Sequence, residues 1–179
     1  MHVLRTVVPD ALLLDPSRRG AGESRKAVRH PDPAAFPVRR RRRIAHGAVY
    51  GLHGHGTGAV LLGVPSGTGY AVVIDTRPRA ETFGRVAVAS LDGPRALLVP
   101  AGCLYGVQAL TDRAAVEVRS ATREPRAQRL SADPDDPDLQ LRWLVPRLLR
   151  TPREDRSWAG LCTRLGAPPG PRRDRVSLW

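Results

Sequence analysis

The sequence predicts an all-β fold, arranged as a sandwich or a barrel. Three observations support this: short apolar runs follow one another in the middle of the chain, turn-forming residues separate them, and no convincing helical period precedes residue 139. A chain of 179 residues corresponds to about one domain and is long enough to bury a core. The predicted strands are Ala59–Val64, Tyr70–Asp75, Arg85–Leu91, Ala96–Val99, Tyr105–Leu110 and Ala114–Val118.

The pattern within these runs is that of half-buried strands. Val116 and Val118 flank the charged Glu117, so apolar residues recur at every second position, as in a strand with one buried face. Gly, Asp and Pro cluster between the runs, where they favour tight turns. The clusters are Ser66–Gly69, Asp92–Pro94 and Thr111–Arg113.

Two flanking segments differ in composition from residues 46–155, the predicted barrel. Residues 1–45 contain three prolines within seven positions, too close for a helix, because proline lacks the amide donor and restricts the residue before it. We expect an irregular arm with short strands that exchanges with a partner or covers a cavity. At the other end we expect a small C-terminal helical segment and, over residues 156–179, a loosely packed tail rich in Pro and Arg.

The chain is strongly basic, with a formal charge of +12 from 29 basic and 17 acidic residues. Of the basic residues, 28 are arginine, a skew typical of a GC-rich genome rather than of selection for a charged surface. The eight aromatic residues and the lack of a recognisable reading motif argue against nucleic acid as a partner.

Apolar runs and cysteines bear on the cellular compartment. The longest apolar runs, such as Ala71–Ile74, fall far short of the roughly 18 residues that a membrane helix needs. Asp10 interrupts the apolar stretch near the N-terminus, where a signal peptide would be continuous. Cys103 and Cys162 are too few for a disulfide framework and fit a reducing compartment. We expect a cytoplasmic protein with no membrane segment.

Two histidines, His53 and His55, stand in a glycine-rich segment. Positions two apart on a strand face the same side, so both imidazoles can point into one barrel interior. A metal site there would need a third or fourth ligand. No acidic residue follows His55 before Asp75, and Tyr105 rather than a histidine follows the turn Pro100–Gly102. We therefore predict no metal.

Four segments of the chain, taken in order, match the pattern of a known enzyme family. They are His46–His53 (His-Gly-Ala-Val-Tyr-Gly-Leu-His), Val72–Arg77 with Thr82–Gly84, the turn region Val99–Val107, and Asp135–Leu139 with Arg142-Trp143. Together they resemble the dTDP-4-dehydrorhamnose 3,5-epimerase family, cupin-type enzymes that act on dTDP-4-keto-6-deoxysugars. The order and spacing of the segments make the resemblance specific.

The resemblance implies a cupin jelly-roll homodimer that needs no cofactor and removes a proton next to a keto group, then returns it on the opposite face. By position in the family motifs, His53 is the base and Asp136 is its carboxylate partner. Histidine suits this role because it titrates near neutral pH, and a carboxylate behind it fixes the tautomer. The implied substrate is a dTDP-linked keto sugar of deoxysugar or antibiotic biosynthesis.

The chain departs from the family pattern near the expected substrate. Tyr50 and Ala59 replace a family arginine and lysine, Tyr105 replaces a histidine, and Val118 replaces the tyrosine that acts as general acid. Because valine cannot donate a proton, Tyr50 or Tyr105 is the possible replacement acid.

We expect Arg19, His55 and Arg119 to contact the substrate. Arginine binds diphosphate well because its planar fork makes two charge-assisted hydrogen bonds. Arg19 or a member of the run Arg39–Arg43 can therefore replace the lost cations. If that run forms a strand, alternate arginines point to opposite sides, and only two or three reach one pocket.

Two interpretations remain open. In the first, the chain is still an epimerase or a related isomerase, with new residues in the lost roles. In the second, the cavity serves a natural-product substrate without a nucleotide, as an isomerase or cyclase, or it binds a ligand without catalysis. Loss of both cations favours the second interpretation, whereas retention of His53 and Asp136 favours retained proton transfer under either.

Overall fold

The computed structural model describes residues 2–17, 32–121, 123, 125–146 and 154–168. They form two antiparallel sheets and one α-helix, which confirms the predicted all-β fold, and every strand predicted in the middle of the chain is present. The six-stranded sheet has the order β1 (His2–Arg5), β2 (Leu12–Asp15), β8 (Ala96–Val99), β5 (Val60–Ser66), β10 (Arg113–Ser120), β3 (Val38–Ala45). The five-stranded sheet has the order β11 (Arg129–Ser131), β4 (Val49–His55), β9 (Cys103–Ala109), β6 (Thr68–Asp75), β7 (Val86–Asp92).

The main core lies between the two sheets. Val60, Leu62 and Val64 of β5 alternate with more exposed residues and point inward, as the two-residue period of a strand requires. Ala71 and Val73 of β6 pack in the same cluster from the facing sheet. Full burial of an aliphatic side chain is worth about 1.5–3 kcal/mol, so this layer drives the two sheets together.

The helix α1 (Trp158–Leu165) packs in a second apolar cluster, together with Leu52 and Ile74 of the five-stranded sheet. The Ser157 hydroxyl caps its N-terminus by accepting a hydrogen bond from the Gly160 amide at 3.1 Å. Because side chains of β6 pack in both clusters, the strand is covered on its two faces, which explains its nearly continuous apolar sequence. No helix in the described part of the chain is long and apolar enough to cross a membrane.

Residues just outside both ends of the expected barrel are packed in the structure. β3 pairs with β10 along its whole length, so residues 38–45 belong to the sheet and not to a separate arm. Trp158 is 2% exposed, so the chain is well packed where a loose tail was expected to begin. The sequence pattern missed β3 because its five arginines show no apolar alternation, and an edge strand tolerates charged residues on both faces.

The buried carboxylate of Asp75 forms hydrogen bonds at the end of β6. Asp75 is fully buried and accepts hydrogen bonds from the Arg77 guanidinium at 2.7 Å and from the Thr82 hydroxyl at 2.6 Å. Burial acts to raise the Asp75 pKa, but the bonds from Arg77 and Thr82 prevail and hold the pKa below its ordinary value. These motif residues therefore stabilise the loop after β6.

Candidate active site

A cavity of about 260 Å³ lies between the two sheets, beside His53. Strands β3 and β10 line it from one sheet, and β4, β9 and β11 line it from the other. Arg123, beyond β10, and Arg156, just before α1, complete its wall. The cavity is the candidate active site because it contains the histidines and tyrosines singled out in the sequence, namely Tyr50, His53, His55 and Tyr105.

An irregularity in β4 brings Tyr50 and His53 to the same face. Residues three apart on a regular strand point to opposite sides. Here Tyr50 pairs with Val107 and His53 with Tyr105, so three steps on β4 match two steps on β9, as in a β-bulge. Gly51 occupies the irregularity with φ +129°, and a Cβ there would lie 2.8 Å from the Tyr105 carbonyl oxygen. A glycine is therefore required at position 51.

The His53 imidazole stands among aromatic and cationic groups. Its ring centroid lies 5.0 Å from that of Tyr50 and 6.4 Å from that of Tyr105, both in edge-on geometry. Burial lowers the His53 pKa, and the charge of Arg156 lowers it further, with smaller effects from His55 and Arg129. The imidazole is thus neutral at neutral pH, the protonation state of a general base.

Both candidate replacement acids, Tyr50 and Tyr105, line the cavity, and both rings are in contact with the His53 ring. Burial raises the pKa of each phenol, so both hydroxyls remain protonated at neutral pH and can donate a proton. Val118, in the position of the family acid, also lines the cavity but has no proton to give.

Four arginines line the cavity, and no carboxylate does so within the described residues. They are Arg40 of β3, Arg123, Arg129 of β11, and Arg156. The guanidinium groups of Arg40, Arg123 and Arg156 make no hydrogen bond or ion pair with the part of the chain that the structure describes. Several guanidinium groups without a partner among the described residues, around one concave space, favour an anionic ligand.

Asp136 does not form the expected pair with His53. Its Oδ1 accepts a hydrogen bond from the Asp138 amide at 2.9 Å, and its Oδ2 accepts one from the Trp158 amide at 2.6 Å. No bond joins Asp136 to His53 in the described structure, and Asp136 does not line the cavity. The Asp-Pro sequence explains this placement, because Asp136 caps the short 3-10 helix Pro137–Leu139.

The predicted substrate-binding residues have different locations. His55 lines the cavity, two positions after His53 as the strand period requires. Arg119 instead lies on the opposite face of β10 and donates to Glu117 at 2.7 Å, so it does not line this cavity, and its substrate contact stays a prediction. Glu117 also accepts from Arg39 at 2.6 Å, which places Arg39 on that outer face as well. Arg19 lies outside the described residues.

Sequence reasoning found Arg40 only as one member of an arginine run, and it did not single out Arg123, Arg129 or Arg156. The strand period could have selected Arg40, because it pairs opposite the cavity-lining Val118. Arg129 lies on an edge strand, and Arg123 and Arg156 lie on connecting segments. In these segments the residue spacing does not indicate which way a side chain points. Elsewhere in the described residues, no group of three or more His, Cys, Asp and Glu side chains is arranged to hold a metal ion.

Comparison with known proteins shows which family shares this architecture. A family model described as dTDP-4-dehydrorhamnose 3,5-epimerase matches residues 33–162. The chain is similar to NovW, a 4-keto-6-deoxy sugar epimerase from the novobiocin biosynthetic gene cluster of Streptomyces spheroides, with a TM-score of 0.73, 21% identity, and coverage of 93% of this chain and 92% of that one. No curated protein matches the sequence.

Two further solved structures carry dTDP-linked ligands. RmlC from Legionella pneumophila, a dTDP-6-deoxy-D-glucose-3,5-epimerase in complex with dTDP-4-keto-L-rhamnose, has a TM-score of 0.72 and 22% identity over 97% of this chain and 98% of that one. ChmJ from Streptomyces bikiniensis, a 3'-monoepimerase in complex with dTDP-quinovose, has a TM-score of 0.63 and 27% identity over 73% of this chain and 70% of that one. The jelly-roll fold is thereby confirmed. Since the family model spans most of the chain, the protein belongs to the dTDP-4-dehydrorhamnose 3,5-epimerase family, a family of isomerases.

Proposed function

We propose that this family member epimerises a dTDP-linked 4-keto-6-deoxysugar at a carbon next to the keto group, with His53 as the base. The observation that carries the proposal is the combination of a neutral, half-buried imidazole with unpaired arginines in one cavity. A neutral base can accept a carbon-bound proton, and arginines such as Arg40 and Arg123 can bind the charged part of a nucleotide sugar.

The proton transfers balance within the cavity. His53 takes the proton as the C–H bond breaks, and the electron pair moves into a carbon–carbon double bond while the keto oxygen becomes an enolate. A tyrosine hydroxyl then delivers its proton to the opposite face of the carbon, which restores the ketone. The resulting imidazolium and tyrosinate return to their starting states by proton exchange with water. Tyr50 and Tyr105 are the candidate donors, since both rings lie close to His53 and both hydroxyls remain protonated.

The arginines that line the cavity can replace the family arginine and lysine, which are Tyr50 and Ala59 in this chain. Arg40 is the member of the β3 run that lines the cavity, and Arg123 and Arg129 line it too. Planar guanidinium groups bind phosphate oxygens through paired hydrogen bonds. The cavity volume of about 260 Å³ lies below the roughly 300–1,000 Å³ typical of ligand pockets, which favours binding of the sugar and phosphates here with the nucleoside extending outside.

The test is incubation of the protein with dTDP-4-keto-6-deoxyglucose in heavy water, followed by NMR. We expect deuterium at C3, at C5 or at both, and the pattern identifies the carbon that reacts. His53→Ala should abolish the exchange, whereas Arg142→Gln, at an exposed position outside the cavity, should leave it unchanged. Exchange no faster than in protein-free solution would disprove the proposal.

A second candidate function is supported by Val118 and by the small cavity. In this alternative the cavity binds a ligand without nucleotide, or binds without catalysis. Thermal unfolding with and without dTDP separates the two, because a ligand that binds only the folded state raises the midpoint. Stabilisation by dTDP without exchange would favour a non-catalytic binding protein, and neither effect would favour a different substrate. The homodimer and the cytoplasmic location stay predictions.

A further inference from the structure

The segment before α1 reaches the active-site cavity from outside the sheet. Residues Glu154–Arg156 form a short 3-10 helix, and Arg156 at its end lines the cavity beside His53. Two residues later, Trp158 is buried in the apolar cluster that contains Leu52 of β4. The chain therefore passes from the cavity to the helix-covered side of the sheet within three residues.

Backbone hydrogen bonds hold this passage on both sides of Arg156. The Arg156 carbonyl oxygen accepts from the Asp133 amide at 2.8 Å, which ties it to the segment after β11. The Trp158 amide donates to the Asp136 carboxylate at 2.6 Å. The backbone of Arg156 is thus fixed, while its side chain is left to extend into the cavity.

The Arg156 guanidinium is available for a ligand. It makes no hydrogen bond or ion pair within the described part of the chain, and its side chain is only partly exposed. Among the charged neighbours of His53, Arg156 lowers the imidazole pKa most, which identifies it as the cation that acts most strongly at the base. Arg40 approaches from the other sheet, where its charge acts on Tyr50 and Tyr105.

The proposed reaction needs a cation at this place. Proton removal by His53 creates negative charge on the keto oxygen, two bonds from the reacting carbon, and a donor aimed at that oxygen lowers the barrier. Tyr50 and Ala59 no longer supply the family cations, and Tyr50 is neutral at the pH of catalysis. We propose that Arg156 binds the enolate oxygen in the transition state, and that Asp136 is a positioning residue that holds Arg156 there through the Trp158 amide. This inference rests on the proposed function.

The first test compares Arg156→Gln with Arg164→Gln, which removes one charge from an exposed position on α1. We expect Arg156→Gln to slow deuterium exchange into the keto sugar about 100-fold, the typical effect of losing one oxyanion donor, with unchanged dTDP affinity. It should also raise the His53 pKa, measured by NMR titration of the imidazole. Arg156→Lys should recover part of the rate, since it keeps the charge without the planar fork, and Arg164→Gln should match the wild type.

Two results of this comparison would overturn the inference. Exchange by Arg156→Gln at the wild-type rate would show that the enolate oxygen has another partner. A large loss of dTDP affinity with a normal rate at saturation would make Arg156 a phosphate ligand instead. If the wild-type protein itself shows no exchange, the proposed function fails together with the inference, which separates that case from a defect confined to Arg156→Gln.

The second test distinguishes a positioning role of Asp136 from a direct partnership with His53. If Asp136 acts through Arg156, adding Asp136→Ala to Arg156→Gln should slow exchange little beyond the single substitution, because both changes remove the same interaction. If Asp136 instead supports the imidazole, the two losses should multiply. Asp136→Asn is the milder variant, since it keeps one acceptor oxygen, and circular dichroism and the unfolding midpoint verify that each variant is folded. Multiplying losses would overturn the positioning role.

Discussion

Three arginines outside the cavity differ from two that line it in whether a carboxylate faces them within the described residues. Arg77 and Arg119 donate to Asp75 and Glu117, and Arg95 donates to Asp15 at 3.0 Å. Arg40 and Arg156 line the His53 cavity and have no such partner in the described residues. The ion pairs of the first group join residues of the chain itself, whereas the guanidinium groups of the second are left available for an anionic ligand.

Net charge alone cannot make this distinction. The +12 of the whole chain counts both groups equally. Adjacent residues of β3 show the difference most directly, since Arg39 pairs with Glu117 on one face and Arg40 lines the cavity on the other. The facing of each side chain, set by the two-residue period of the strand, decides between structure and function.

The largest effect should come from breaking the most buried of the paired groups. Asp75→Asn leaves Arg77 without its counter-charge and should lower the free energy of unfolding by about 3 kcal/mol, the typical cost of breaking a buried pair. Urea denaturation measures this change. Asp112→Asn, at an exposed turn position, is the control and should change stability little. A loss no larger than that of the control would mean that the buried pair does not hold the loop.

The next effect should concern binding rather than stability. Arg40→Gln should weaken dTDP binding about tenfold, since a hydrogen bond to a charged group is worth roughly 1.5–3 kcal/mol. Arg39→Gln, on the neighbouring residue of the same strand, should leave the affinity unchanged. Isothermal titration calorimetry measures both. Equal affinities for the two variants would remove the distinction between the inner and outer arginines.

A smaller effect is expected at the outer face of β10. Arg119→Gln removes a partly exposed partner of Glu117 and should cost at most about 1 kcal/mol of stability, because solvent screens such pairs. Epimerase activity should not change, since Arg119 does not line the cavity. A clear fall in kcat/KM with normal stability would show that Arg119 contributes to the reaction after all.

The smallest single effect is the upper of two steps in the acid dependence of stability. The His53 pKa is lowered in the folded state, so the unfolded chain binds the extra proton first and stability starts to fall below the ordinary histidine value of about 6.5. The pKa values of Asp15, Asp75 and Glu117 are also lowered, so their larger contribution is full above about pH 4 and is lost below it.

Unfolding free energies measured between pH 7 and 3 test this dependence. His53→Gln should remove the upper step and leave the lower one, because glutamine does not titrate. A profile of this variant that coincides with the wild type would show that His53 keeps its ordinary pKa in the folded protein. The same lowered pKa predicts that kcat/KM falls on the acid side only below the ordinary histidine value.

Much of the fold could be predicted from local patterns. Gly67 and Gly93, in two of the predicted turns, have positive φ, a conformation that glycine adopts with less strain than other residues. The strands between the turns lie where the two-residue period predicts them. β3 and α1 were harder to predict. The first has no apolar alternation, and the second is stabilised by packing on a distant sheet through Trp158.

The sequence by itself determined the strand succession, the shared facing of His53 and His55, and the family motifs, because period and spacing are properties of neighbouring residues. Tertiary structure decided which groups meet. The bulge at Gly51 turned Tyr50 toward His53, the capping of Pro137–Leu139 and α1 engaged Asp136 away from His53, and the passage before α1 brought Arg156 into the cavity. The pairing of β4 with β9, the bond from the Trp158 amide to Asp136 and the bond from the Asp133 amide to the Arg156 carbonyl all join segments separated in the chain, and such bonds leave no periodic trace in the sequence.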